Sequence, residues 1–137
     1  MRYLSLLFLS FFFIACQQSK DEKSTSEQET VVVLEPNKFN DLMHIEENTQ
    51  IVDVRSPEEY EVGHLKGAQN VNINGDNFED GVADLNKERP VFVYCQGGVR
   101  SAKAAKELEK MGFKEVYDLE GGISAWKQAG LRVKMKP

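Results

Sequence analysis

VFVYCQGGVRS, residues 91–101, changes character at Tyr94. Val91 to Tyr94 has no polar position before Cys95, so a strand here is covered on both faces rather than on one. Gly97 and Gly98 break the run, and the spacing of Ala104, Leu108 and Met111 predicts a helix over 101–111, stopped at Gly112. A buried strand passing into a helix through a glycine loop is one unit of a parallel α/β sheet.

The same unit recurs on either side. Val31–Leu34 is a short apolar strand, and Pro36 opens a helix that carries Phe39, Leu42 and Met43 on one face. Ile51–Val54 is a strand followed by SPEEY, in which Ser56 at the N-cap, Pro57 at N1 and Glu59 at N3 form a capping box. A strand is expected over Asn70–Ile73 and a helix over Asn77–Leu85. After Val91–Tyr94 come a strand over Val116–Leu119 and a last helix over Ile123–Gln128. The fold class is therefore α/β, a parallel sheet with helices on both faces. Such sheets bind ligands beyond the carboxyl ends of their strands, which points to the loop after Tyr94.

That loop places a thiol, Cys95, ahead of Gln96, Gly97, Gly98, Val99 and Arg100 at a helix N-terminus. Glycines let successive backbone N–H groups turn toward one centre, and the helix end adds about half a positive charge. Arg100 adds a full one, and comparable settings lower a cysteine pKa from about 8.5 to roughly 3.5 to 7.5. A cysteine that merely packs at a strand end has no use for this surround.

Three separated segments resemble the rhodanese, or sulfurtransferase, domain: VDVRSPEEYEVGHLKGAQNV at 52–71, VYCQGGVRSAKAA at 93–105 and VYDLEGGISAWKQAG at 116–130. The resemblance runs over about residues 34–133 and implies a five-stranded parallel sheet. It also implies a two-step reaction, in which Cys95 takes a sulfane sulfur from a donor such as thiosulfate and passes it from a persulfide to cyanide or a thiol. By the same resemblance, the N–H groups of residues 96–100 hold the persulfide and Arg100 helps bind the anionic donor. No metal and no organic cofactor is implied. Cys95 to Arg100 reads C-x4-R, as in sulfurtransferases, whereas related phosphatases and arsenate reductases use the wider C-x5-R ring. The alternative reading is a rhodanese-fold binding module, or a persulfide carrier for an envelope partner protein.

Other marked residues read as structural. Asp53 and Arg55 are expected to hold the strand end to the Ser56–Tyr60 turn, with Arg55 pairing Glu59. His64 is expected to be hydrogen-bonded in its turn and Trp126 to pack. Phe78 occupies the third position of any calcium loop beginning at Asp76, which excludes an EF-hand.

The chain has 137 residues, a single-domain length, with 17 Lys plus Arg against 22 Asp plus Glu. A net charge of −5 excludes nucleic-acid binding by phosphate neutralisation. Twelve of the first 15 residues are apolar. The run from Leu4 to Ile14 is too short to span a bilayer and suits a secretory leader. FIAC, residues 13–16, resembles the lipobox of bacterial lipoproteins, which implies cleavage after residue 15 and lipidation of Cys16. Residues 17–30 carry no aromatic or aliphatic side chain and read as a flexible tether. The expected organisation is a leader at 1–15, lipidated Cys16 and tether at 16–30, and a monomeric rhodanese domain at 31–137. Gln17 after the cysteine resembles outer-membrane sorting, so the domain is expected in the cell envelope, on the periplasmic face or cell surface.

Overall fold

The computed structural model describes residues 29–45 and 48–135. Five strands, β1 (Val31–Leu34), β2 (Gln50–Asp53), β3 (Gln69–Asn70), β4 (Val91–Tyr94) and β5 (Val116–Leu119), form one parallel sheet in the order β1-β5-β4-β2-β3. Five helices connect or follow them: α1 (Pro36–Met43), α2 (Pro57–Val62), α3 (Phe78–Gly81), α4 (Val99–Lys110) and α5 (Gly122–Gln128). None is long and apolar enough to cross a membrane among the described residues. The leader, Cys16 and most of the tether lie outside the described residues.

Strand β4 is central, and all four of its residues are buried. Its side chains alternate between two cores, as a sheet covered on both faces requires. Val91 and Val93 meet Ala104, Ala105 and Leu108 of α4 and Phe78 of α3. Phe92 and Tyr94 meet Phe39 of α1 and Ile123 and Trp126 of α5. Phe39 packs edge-on against Phe92, with ring centroids 5.2 Å apart.

Strand β2 and helix α5 shift by one residue from the sequence-based expectation, and three elements differ from it by more. The strand expected over Asn70–Ile73 is Gln69–Asn70, because regular pairing ends at Asp53↔Asn70; Val71 and Ile73 still donate to the Asp53 and Val54 carbonyls. The helix expected over Asn77–Leu85 is one turn, Phe78–Gly81. Residues 82–85 follow as i→i+3 turns that bury Val82. Helix α4 starts at Val99 rather than Ser101, so Arg100 belongs to its first turn.

The topology also makes a crevice. The chain leaves β2 toward β3 at one edge and leaves β4 toward β5 on the other side. The loops after the adjacent strands β2 and β4 therefore diverge, and the space between them lies at the carboxyl end of the sheet.

Candidate active site

Cys95 follows β4 at that end and is 1% exposed. The chain turns at Gly98, whose φ of +100° is open to glycine and strained for other residues. This turn aims the Gly98 N–H at Cys95 Sγ, 3.0 Å away. Burial pushes the Cys95 thiol up, but hydrogen bonds from the Ser101 hydroxyl and from the Ser101, Gly98 and Gly97 N–H groups together bring it below its usual value. Space above Gly97 is open, since a Cβ there would meet nothing within 4 Å.

The charges around the loop are paired. Arg100 makes a two-pronged contact with Glu59 of α2, Nη1 to Oε2 at 2.7 Å and Nη2 to Oε1 at 2.8 Å. Arg100 thus straps the first turn of α4 to α2, and its charge is compensated rather than free. Glu59 also accepts from the Ser56 N–H while the Ser56 hydroxyl accepts from the Glu59 N–H, so the expected capping box is formed. The Arg100 guanidinium is the main cause holding the Glu59 carboxyl down at about 2.

The expected Arg55–Glu59 pair does not form. Arg55 instead binds Asp53, Nη2 to Oδ2 at 2.6 Å and Nε to Oδ1 at 2.9 Å, and also donates to the Gly63 carbonyl. Both partners are buried, so each supplies the compensation the other needs away from water. Burial and, after it, the Asp53 carboxylate hold the Tyr94 phenol well above its usual range, and its oxygen accepts from the Leu65 N–H. This buried group lies beneath the loop, and the third Arg55 donor reaches Gln96 Oε1 at 3.3 Å.

Gln96 is held from the other side as well, its Nε2 donating to Ser124 Oγ at 2.8 Å. Helix α5 supports the loop backbone directly: Ile123 N–H donates to the Cys95 carbonyl and Ser124 N–H to the Gln96 carbonyl, at 2.9 and 3.2 Å. Gly122 makes this approach possible. A Cβ at that residue would lie 2.5 Å from the Cys95 carbonyl oxygen and 2.6 Å from the Gln96 carbonyl carbon.

Residues 35–129 match the rhodanese-like domain. The chain belongs to this family. The rhodanese-like domain is 39% identical over 87 residues to the protein YqhL of Bacillus subtilis, covering 64% of this chain and 65% of that one. It is 39% identical over 82 residues to the thiosulfate sulfurtransferase GlpE of Shewanella oneidensis, covering 60% of this chain and 79% of that one. In three dimensions it resembles the polysulfide-sulfur transferase of Wolinella succinogenes, at a TM-score of 0.66 and 30% identity over 78% of this chain and 80% of that one. The five-stranded parallel sheet with its flanking helices is the rhodanese fold.

Within this rhodanese site Gly97 and Gly98 face the Cys95 sulfur, whereas the Gln96 side chain is held by Arg55 and Ser124 and that of Arg100 by Glu59. Val99, 84% exposed, offers its backbone to the helix start and its side chain to solvent. His64 lies against Tyr60, rings stacked at 3.7 Å and Nδ1 2.9 Å from the Tyr60 carbonyl oxygen. Trp126 packs in the core and donates to the Arg132 carbonyl. Sequence reasoning missed the contributions of Glu59, Ser101, Gly122 and Ser124. Glu59 and Ser101 were visible only as capping and helix-start residues, and nothing local ties Ser124 to a loop 28 residues earlier.

Proposed function

We propose that the protein is a sulfurtransferase of the thiosulfate type, with Cys95 as its nucleophile. The Cys95 thiolate attacks the outer sulfur of thiosulfate; a new S–S bond forms, the old one breaks, and sulfite leaves with its electron pair. In this reading the N–H groups of the 96–100 loop, Gly97 and Gly98 foremost, hold the terminal sulfur of the resulting persulfide. Cyanide or a thiolate then attacks that sulfur, leaving as thiocyanate or a persulfide and returning the Cys95 thiolate. The observation that carries this reading is the ring of N–H and O–H donors on Cys95, with Gly98 N at 3.0 Å. The relatives named for thiosulfate and polysulfide sulfur transfer support it. In this reading Arg100 contributes by fixing the α4 end of the cradle to α2, and only a residual attraction reaches an anionic donor.

The exposed Val99 side chain beside the nucleophile favours a second reading, a persulfide carrier that docks an acceptor protein at this lip. The leader-like residues 1–15 and Cys16 support anchoring of the domain in the bacterial envelope by lipid at Cys16. The test incubates the protein with thiosulfate and reads its intact mass, then adds cyanide and measures thiocyanate. A gain of one sulfur that cyanide discharges, absent in Cys95→Ser, is expected. A wild type that gains no sulfur from thiosulfate or polysulfide would sink the enzyme reading.

A further inference from the structure

Gln96 is exposed, yet both ends of its amide are held. Its Oε1 accepts from Arg55 Nη1 at 3.3 Å and its Nε2 donates to Ser124 Oγ at 2.8 Å. Arg55 has only donors to offer, which fixes the end of the amide that faces it. It is itself fixed in place, 3% exposed, with Nε and Nη2 taken by Asp53 and the Gly63 carbonyl. Ser124 meets Gln96 a second time, its N–H donating to the Gln96 carbonyl at 3.2 Å. Gln96 and Ser124 therefore close a ring of two hydrogen bonds, one from the backbone and one between side chains, and the side-chain bond is the shorter.

The ring matters for the peptide group it holds. A peptide group is planar, and no cis bond occurs among the described residues, so the Gln96 carbonyl and the Gly97 N–H point in opposite directions from one plane. Fixing that carbonyl on α5 directs the Gly97 N–H away from α5, and this N–H is one of the donors to the Cys95 sulfur. The Gly97 side of the peptide offers no hold. Gly97 has no side chain, a Cβ there would meet nothing within 4 Å, and Gly98 follows at a φ of +100°. Two successive glycines leave the peptide plane free to rotate unless Gln96 is anchored. A rotated plane would present the carbonyl oxygen, in place of the N–H, to a thiolate.

We propose that Gln96 is a positioning residue: its amide, tied to Ser124 and Arg55, sets the plane of the 96–97 peptide and so aims the Gly97 N–H at the Cys95 sulfur. Ser124 is the second member of the same device. The charged groups on the surrounding elements, Asp53 with Arg55 after β2, Glu59 with Arg100 between α2 and α4, and Asp118 on β5, are unaltered when Gln96 or Ser124 is replaced. A change in the Cys95 titration then reads the donors to its sulfur.

The inference rests on Cys95 being the nucleophile, but its test needs no sulfur donor. The full chain is alkylated with iodoacetamide from about pH 5 to about pH 10, and the rate is read on the Cys95 peptide by mass, apart from Cys16. Accessibility alone changes the plateau rate at high pH, whereas a lost donor to the thiolate moves the midpoint. Gln96→Ala should move the midpoint up by about half a pH unit, within the worth of one hydrogen bond. Ser124→Ala should move it in the same direction, and Ser124→Thr, which restores the oxygen, should return it to the wild-type position. The two alanine changes together should move it no further than Gln96→Ala alone, because they remove one contact. An unmoved midpoint in Gln96→Ala, or single shifts that add in the double variant, overturns the proposal. If Ser124→Ala does not fold, amide hydrogen exchange at Gly97, followed by NMR in the wild type and in Gln96→Ala, carries the test. It should quicken about fivefold in the variant, and an unchanged rate overturns the proposal. A chain whose midpoint shifts but that gains no sulfur from thiosulfate loses the sulfurtransferase reading alone. A chain that gains sulfur while Gln96→Ala keeps the wild-type midpoint loses this inference alone.

Discussion

Two carboxyls, those of Glu59 and Asp118, respond to pH with opposite signs. Glu59 is held down at about 2 chiefly by Arg100, against burial, with the Ser56 N–H adding a smaller pull in the same direction as Arg100. A depressed acid stabilises the fold above its unfolded pKa, and that stability is lost as pH falls from the ordinary carboxylate range toward about 2. Both side chains of the Glu59–Arg100 pair are close to one-third exposed, so solvent screens it. Glu59→Gln is therefore expected to cost only about 1 to 2 kcal/mol at neutral pH, capping included, and much less near pH 2, by urea unfolding. Asp118 runs the other way. Burial in β5 raises its carboxyl to about 6, so the fold is favoured while it stays protonated and loses stability as pH rises from about 4 through about 6. Asp118→Asn removes that loss. Relative to wild type, the variant should gain about 2 to 3 kcal/mol between pH 4 and neutral pH, and a gain that is flat with pH would contradict the buried-carboxylate account.

At the scale of elements, the active loop is built by three neighbours: α4 by its cap at Gly98, α2 through Glu59, and α5 through Gly122. The α5 contact has no slack. Gly122→Ala puts a methyl on backbone atoms of Cys95 and Gln96 at a φ of +60°, and is expected to destabilise by on the order of 3 kcal/mol and to slow persulfide formation strongly. Gly130→Ala is the matched control. Its φ is +77° but a Cβ there meets nothing within 4 Å, so only the backbone cost of about 1 kcal/mol should appear and the persulfide rate should stay at wild type. These neighbours explain what could be read in advance. The strands, α1, the α2 capping box and the Cys95 loop are written in local patterns of apolar runs, Pro, Ser-x-x-Glu and paired glycines, and were legible. The short β3 and α3 were not: Asn70–Ile73 loses regular pairing after Asn70 with no breaker in the pattern, and α3 stops at Gly81, a glycine inside the span expected to be helical. The pairing of Arg100 with Glu59 was hidden by distance: 41 residues separate them, and Arg55 looked like the nearer partner for Glu59. Asp118 was hidden by its neighbours, reading as the one polar position in an apolar strand until the folded sheet buried it.

The whole chain poses a different constraint, since the rhodanese-like region begins at residue 35 and the proposed lipid site is Cys16. The folded sheet itself begins at Val31, so the chain between, at no more than about 3.6 Å per residue, would let the domain stand up to roughly 50 Å from a bilayer. An acidic domain near anionic headgroups is repelled, so the proposed lipid at Cys16 would have to supply the attachment; loss of Arg2 with such a leader would take the formal charge from −5 to −6. Acylation of Cys16 on sulfur also removes the only other thiol in the sequence, and Cys95 then has no internal partner with which to form a disulfide. In an oxidising compartment that separation preserves the nucleophile. Expressed with its leader in a diderm bacterium, the protein should fractionate with membranes. Its intact mass should show residues 1–15 removed and acyl chains added at Cys16. Cys16→Ala should move it to the soluble or uncleaved pool while Cys95 still accepts sulfur from thiosulfate in the extract. A wild type that is soluble, or that keeps Met1 with an unmodified Cys16, rules out the lipid anchor, and a disulfide between Cys16 and Cys95 in that material would show what the anchor was proposed to prevent.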